Sequence, residues 1–295
     1  MSLPDFVILG AQKSASTYLA AALSSHPQVY MPPYEVRFFE DPEYRRDLSD
    51  LKALFRGNEH LMLGIKRPDY LACSEVPARL QRDLPGVRLI ALLREPVSRL
   101  VSAYYYYIKL GFLPPVGINR ALPGILRRYP DLPPRERELL DYGCYGTQLS
   151  RYQDYFATEQ MLVLLQDDMT DGGKAAVDAV CDFLHLPRLQ TEPRAERSNS
   201  GVYSIRRLKW LRLRNRFFYR ADAQSGRLDV NLTPVNYLFG GLITAVDRYF
   251  FARFDDNLPP QLDAPVAGSL RDFYRNEVDV VERMMGRKLP AWREK

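Results

Sequence analysis

The stretch from Phe6 to Leu19, FVILGAQKSASTYL, constrains this chain more than any other. Four apolar residues run into Gly10, a short polar loop follows, and an alanine-rich apolar run begins after Thr17. That order predicts a buried strand, a tight turn and the start of a helix. A helix start carries N–H groups without intrahelical partners and the positive end of the helix dipole, so a loop entering one is suited to an anion. Lys13 adds a full charge, and Ser14, Ser16 and Thr17 add hydroxyl donors. An ordinary strand-to-helix connection with a surface lysine fits the same residues.

The spacing is not that of the nucleotide-triphosphatase loop G-x-x-x-x-G-K-[ST]. Lys13 is the third residue after Gly10, and Ala15 stands where a second glycine would be expected. Three further apolar runs, 61–66, 87–93 and 161–165, read as buried strands. Helical patterns lie at 16–25, 75–83, 96–110 and 145–156. Strands alternating with helices predict an α/β fold: a single P-loop-like domain over 1–295, with a central parallel sheet flanked by helices and a helical C-terminal third. Ligands of such sheets gather at the C-terminal strand ends. Lys13, Lys66 and Arg94 each follow closely on a predicted strand, so all three are expected at one rim. Cations gathered there would repel unless an anion joined them.

Composition narrows the class. The chain has 295 residues, 46% of them hydrophobic, and a net charge of +5, which favours anionic partners. Cys73, Cys144 and Cys181 are scattered without metal-ligand spacing, and so are His26, His60 and His185. No metal site is expected, and a reducing compartment is the simplest reading of the cysteines. With no leader before the first strand, the expectation is a cytoplasmic enzyme. Residues 114–134 hold six prolines and read as an inserted loop or short-helix excursion, a candidate wall facing substrate.

Two further stretches bear on chemistry. Glu35 lies in MPPYEVRFF, beside Phe38 and Phe39. Partial desolvation there would raise its pKa towards a general base's range, although most loop glutamates are simply solvated. In LLREPVSRLVSAY a strand ends before Arg94, Pro96 opens a helix, and Ser102 lies two turns along it. A guanidinium with a hydroxyl suits a phosphate monoester. A salt bridge from Arg94 or Arg99 to Glu95, with Ser102 as packing, would use the same residues.

These segments resemble the sulfotransferases that use 3′-phosphoadenosine 5′-phosphosulfate (PAPS), most of all the heparan-sulfate type. Residues 10–17, GAQKSAST, are similar to the family's 5′-phosphosulfate loop, and LREPVSR with Ser102 and Tyr104 to its 3′-phosphate motif. YEVRFF, with Glu35, and IKRPDY, with Lys66, resemble its acceptor-side segments. Gly143, Tyr145, Leu149 and Tyr152 match a family helix, residues 200–206 the loop closing over the nucleotide, and LPAW near the C-terminus has a counterpart. The resemblance implies that Lys13, Ser14, Ala15, Ser16, Thr17, Tyr18, Arg94, Ser102, Gly201, Tyr203 and Arg206 bind the donor, with 199–254 forming lid and acceptor-side helices. It implies Glu35 as base, Lys13 at the leaving oxygen, Lys66 orienting sulfate and Glu35, and no metal. The product would be 3′-phosphoadenosine 5′-phosphate (PAP), and the acceptor a hydroxyl on a carbohydrate or a glycosylated or lipidic small molecule. The chain departs from the family at Ala15-Ser16, Arg37, Arg67 and Ser200, which touch the acceptor side and lid more than the donor cradle.

Two other classes are weighed against this reading. A P-loop kinase needs the lysine spacing that is absent here and a magnesium-binding acid, for which Asp167-Asp168 is the candidate. A non-catalytic anion- or glycan-binding protein needs neither Glu35 nor Arg94. Residues 206–220 contain seven basic residues and no acid, and predict a basic amphipathic helix. It could be solvated beside the nucleotide, grip an anionic acceptor, or touch a membrane surface. Residues 236–254 are apolar and aromatic, and read as core or as a hydrophobic acceptor channel. No nucleic-acid partner is expected.

Overall fold

The computed structural model describes residues 2–169, 173–190, 201–221, 228–230, 233–254 and 258–294. In chain order the elements of the first half are β1 (Phe6–Gly10), α1 (Ser16–Ser24), β2 (Val29–Tyr30), α2 (Ser49–Ala53), β3 (Met62–Lys66), α3 (Val76–Asp83), β4 (Arg88–Leu93) and α4 (Pro96–Leu110). There follow α5 (Ile118–Arg128), α6 (Pro134–Asp141), α7 (Tyr145–Gln153), β5 (Met161–Leu165) and α8 (Lys174–Leu184). The last elements are α9 (Ile205–Phe218), β6 (Tyr219–Ala221), β7 (Leu228–Val230), α10 (Pro234–Tyr249), α11 (Ala264–Met285) and α12 (Ala291–Glu294).

Five strands form one parallel sheet in the order β2-β3-β1-β4-β5. Its central strands are apolar between their ends, with Lys66 closing β3 and Arg88 opening β4, because both faces are covered. Alternation sends Val7 and Leu9 of β1 to one layer and Phe6 and Ile8 to the other. The first layer packs on α3, α7 and the end of α11 through Leu80, Leu149, Tyr152 and Val281. The second packs on α1 and α8 through Leu19, Leu23, Val177 and Val180. The predicted strands and sheet-flanking helices are all present. The two-residue β2 is too short for a periodicity signal.

The chain forms two compact units. The first, residues 1–99, 141–198 and 271–295, holds the sheet. The second, residues 100–140 and 199–270, contains both segments read from sequence as a proline-rich insertion and as lid and acceptor-side helices. The proline-rich segment is largely helical: α5 carries Pro123 inside it, and α6 starts at Pro134. Within the second unit, α9 and α10 are joined by a buried bidentate pair, Arg207 Nε and Nη2 donating to the Asp247 carboxylate at 3.0 and 2.8 Å. The Trp210 indole N–H donates to the Ile243 carbonyl at 2.9 Å.

Candidate active site

Strand order makes the site. β3, β1 and β4 are adjacent, so the residues leaving their C-terminal ends share one rim. Gly10 closes β1 with φ +142°, and a Cβ there would lie 2.5 Å from the Pro68 carbonyl oxygen. No larger residue fits that turn without displacing backbone. Lys13 and Ala15 both take left-handed backbone, φ 67° and 66°, and curl the loop before α1. Curled loops of this kind gather N–H groups on their concave side. Ala15 precedes α1 without a side-chain cap, and the first turn of α1 has no acidic residue. The Leu19 N–H donates to the Ala15 carbonyl, so N–H groups of the preceding turn face out of the helix start. The positive end of the helix therefore lacks a counter-charge of its own in the first turn, as an anion site requires.

Side chains from the neighbouring strand ends complete this rim. Arg94 Nη1 donates to the Lys13 carbonyl at 3.2 Å, tying the end of β4 to the loop. Lys66 Nζ donates to Thr17 Oγ1 at 2.9 Å and lies 3.1 Å from Glu35 Oε1. One ammonium thus links the start of α1 to the candidate base. The Glu95 carboxylate accepts from the Val97 and Ser98 N–H groups and caps α4. A cavity of about 210 Å³ beside Arg94 is lined by Glu95, Ser98, Gln166, Asp167 and Ala291. A larger one, about 520 Å³, opens near Leu3, Asp5 and Arg88, at the opposite strand ends from this rim.

The loop bearing Glu35 is fixed from below. The Val36 N–H donates to the Lys66 carbonyl at 3.1 Å. The buried Tyr70 hydroxyl donates to the Val36 carbonyl at 2.6 Å and accepts from the Phe39 N–H at 3.1 Å. Tyr152 on α7 donates in turn to the Tyr70 carbonyl at 2.8 Å.

Glu35 itself departs from the sequence expectation. Burial does push its pKa up, but Lys66 and Arg67, by charge and hydrogen bonding, outweigh that and hold it below the usual glutamate value. Its side chain stays 38% exposed, so desolvation is incomplete. Arg67, noted in the sequence only as a departure from the family pattern, is the organising group. It reaches Glu35 at 2.6 Å, Glu40 at 2.7 Å and Asp69 at 2.6 Å. Burial works against its charge, yet Asp69, Glu40 and Glu35 raise its pKa further still. The signal available in sequence was its place directly after a strand-end lysine, close to several acids.

The remaining candidate residues divide between the units. Lys13, Ser14, Ala15, Ser16, Thr17, Tyr18, Glu35, Lys66 and Arg94 belong to the first; Ser102, Gly201, Tyr203 and Arg206 belong to the second. Ser14 is fully buried, so its hydroxyl is turned away from solvent. Tyr18 packs on Gly173, where a Cβ would meet the ring at 2.8 Å. Ser102 is buried on α4, and the Tyr203 ring meets Tyr105 edge-on at 5.4 Å. Arg206 is exposed at the start of α9. Ser200 lies outside the described residues. Asp167 and Asp168, the acids a kinase would need, are engaged: Asp168 accepts two hydrogen bonds from Arg287 at 2.7 and 2.9 Å, and Asp167 accepts from the Trp292 indole at 3.4 Å.

Sequence comparison finds similarity to two kinds of heparan sulfate enzyme. The chain is 28% identical over 197 residues to the bifunctional heparan sulfate N-deacetylase/N-sulfotransferase 2 of Bos taurus, covering 62% of this chain and 22% of that protein. It is 27% identical over 191 residues to human heparan sulfate glucosamine 3-O-sulfotransferase 3B1, covering 64% and 48%. The chain thus spans less than half the length of these curated relatives. No protein-family model matches it. In structure it is similar over 100% of both chains to a sulfotransferase from Alicyclobacillus acidocaldarius, with a TM-score of 0.69 and 20% identity. The fold is the sulfotransferase fold.

Proposed function

From a chain with the sulfotransferase fold and sequence similarity to heparan sulfate sulfotransferases, we propose an enzyme that transfers a sulfuryl group from PAPS to an acceptor hydroxyl. The observation that carries this reading is Lys66, whose ammonium spans Thr17 at the anion loop and Glu35 on the acceptor side. A simple anion binder has no use for a carboxylate beside its anion. The uncapped start of α1, the curled loop and Arg94 at the same rim fit a phosphosulfate; Arg94, Ser102, Gly201, Tyr203 and Arg206 are the residues proposed to hold the remainder of the donor. PAPS, when bound, supplies an activated sulfuryl group with PAP as its leaving portion.

The protein's part in such a transfer is positioning and charge stabilisation. Glu35 is held ionised and oriented by two cations, so it accepts a proton from an acceptor hydroxyl without first losing its own. Its lowered pKa makes it a weak base while Lys66 is fully engaged with it. Drawing Lys66 towards negative charge at the start of α1 would loosen that hold and strengthen the base. In this reading Lys13 stabilises charge on the departing oxygen. Arg67 keeps the Glu35 carboxylate in place while Lys66 is shared.

The acceptor class proposed is a carbohydrate hydroxyl, by similarity to the human 3-O-sulfotransferase. The test is transfer of label from PAPS to a panel of glycans and glycosylated small molecules, with Glu35→Gln beside the native protein. Turnover should fall by about 10²-fold or more with donor affinity kept. Near-native turnover in Glu35→Gln would remove the glutamate from this role.

A further inference from the structure

One buried tyrosine at the rim takes no part in the chemistry proposed above. Tyr145 opens α7 and is 1% exposed, and its ring packs at 6.1 Å on Trp292 of α12, itself buried. α12 is held on the end of α11, where Glu282 accepts from the Leu289 N–H at 2.7 Å and pairs with Arg293 at 2.8 Å. The start of α7 is held on α11 as well. The Thr147 N–H donates to Glu277 at 2.8 Å, and a Cβ at Gly146 would meet Val280 at 2.7 Å and the Glu277 carbonyl at 2.8 Å. The Tyr145 ring therefore has little room to shift, and its hydroxyl is kept in one place.

That hydroxyl faces the anion loop. Burial pushes the Tyr145 pKa up, while the Arg99 guanidinium, the Ser14 hydroxyl and the Arg94 backbone N–H act against that. The phenol oxygen thus stands within reach of a hydroxyl on the β1–α1 loop and of the backbone where β4 ends. Tyr145, Ser14, Arg94 and Trp292 all belong to the first unit. Ser14 is fully buried too, and among the described residues neither its hydroxyl nor that of Tyr145 completes a hydrogen bond of ordinary geometry. Buried hydroxyls are nearly always bonded, so two that fall short side by side call for a reason. The loop supplies one: Ser14 sits between Lys13 and Ala15, both left-handed, in the curl suited to an anion. An anion gathered by the loop's N–H groups would carry Ser14 with them, towards a phenol that can donate to it and accept from the Arg94 N–H at once. Resting on the donor reading above, we propose that Tyr145 is a positioning residue whose hydroxyl closes on Ser14 when the donor binds, setting the loop and the Arg94 strand end in register. The bond then adds to donor affinity and not to the stability of the free protein.

Tyr145→Phe removes the oxygen and keeps the ring against Trp292. Urea denaturation of the full chain without ligand should give the native midpoint, since the hydroxyl has no completed bond to lose there. Calorimetry should show PAP bound about fivefold more weakly, the worth of one hydrogen bond. In a Ser14→Ala background the same Tyr145→Phe change should cost less, because its partner is already gone. A lowered urea midpoint in Tyr145→Phe overturns the proposal, for the hydroxyl would then be bonded in the free protein and its role structural. An effect of Tyr145→Phe that keeps its full size beside Ser14→Ala overturns it too. If the native protein binds no PAP, the donor reading fails and this proposal with it. Native binding that Tyr145→Phe leaves unchanged overturns this proposal alone.

Discussion

Arg67 offers the most stringent test of how the candidate base is held. Arg67→Met keeps much of the side chain's volume and removes its charge from three carboxylates at once. The arginine, Glu40 and Asp69 are only 11%, 11% and 20% exposed in their side chains, so that part of the network counts as largely buried. Removing one partner of such a pair costs about 3–5 kcal/mol, because charge is left without compensation. The arm to Glu35, which is 38% exposed, adds no more than about 1 kcal/mol. A loss of about 4 kcal/mol is a large share of an ordinary domain's stability. The pH dependence separates charge from packing. In the native protein Glu35 has a lowered pKa, so its contribution is complete above the unfolded value and disappears as pH falls through the folded one. In Arg67→Met the carboxylates left behind repel one another, and protonation relieves them. The variant's deficit should therefore be largest at neutral pH and shrink towards about pH 5. Urea denaturation of both proteins across that range measures it, with Arg67→Met/Glu40→Gln recovering part of the loss. A deficit under about 1 kcal/mol at neutral pH, or one that does not change with pH, would refute the network as described.

Two further perturbations probe the same rim. Lys66→Ala removes the link between Thr17 and Glu35 and should lower kcat by about 10²-fold or more, while the acid limb of the pH–rate profile moves to higher pH as Glu35 loses a cation; an unmoved limb in initial-rate assays contradicts the assignment. Tyr70→Phe leaves the Val36 carbonyl and Phe39 N–H without their shared hydroxyl and should cost about 1–3 kcal/mol in urea denaturation, with KM for acceptor raised more than affinity for PAP.

Much of the architecture was legible because its signals are local. β1, β3, β4 and β5 are apolar runs bounded by turn residues, and the strand-end positions of Lys13, Lys66 and Arg94 follow from them. Long-range pairing was not legible. Phe38 and Phe39 suggested a desolvated Glu35, but its ionisation is set by Lys66 and Arg67, which the parallel sheet brings from about thirty residues away. Ser14 reads as a hydroxyl donor, yet its place in the curled loop buries it. Residues 236–254 have the composition of a core helix, and composition cannot tell which side of α10 finds a partner. The joining of 100–140 with 199–270 into one compact unit likewise depends on contacts remote in sequence, such as Arg212 Nη1 donating to the Leu113 carbonyl at 2.6 Å.

The rim formed by the β1–α1 loop and Arg94 should select a 3′-phosphorylated adenosine donor. Isothermal calorimetry of PAP against ADP, on the native protein and on Arg94→Ala, tests it most directly. PAP should bind at least about tenfold more tightly than ADP, a difference of about 1.4 kcal/mol, and Arg94→Ala should remove the preference. Equal affinity for the two nucleotides, or a preference for ADP, would contradict it.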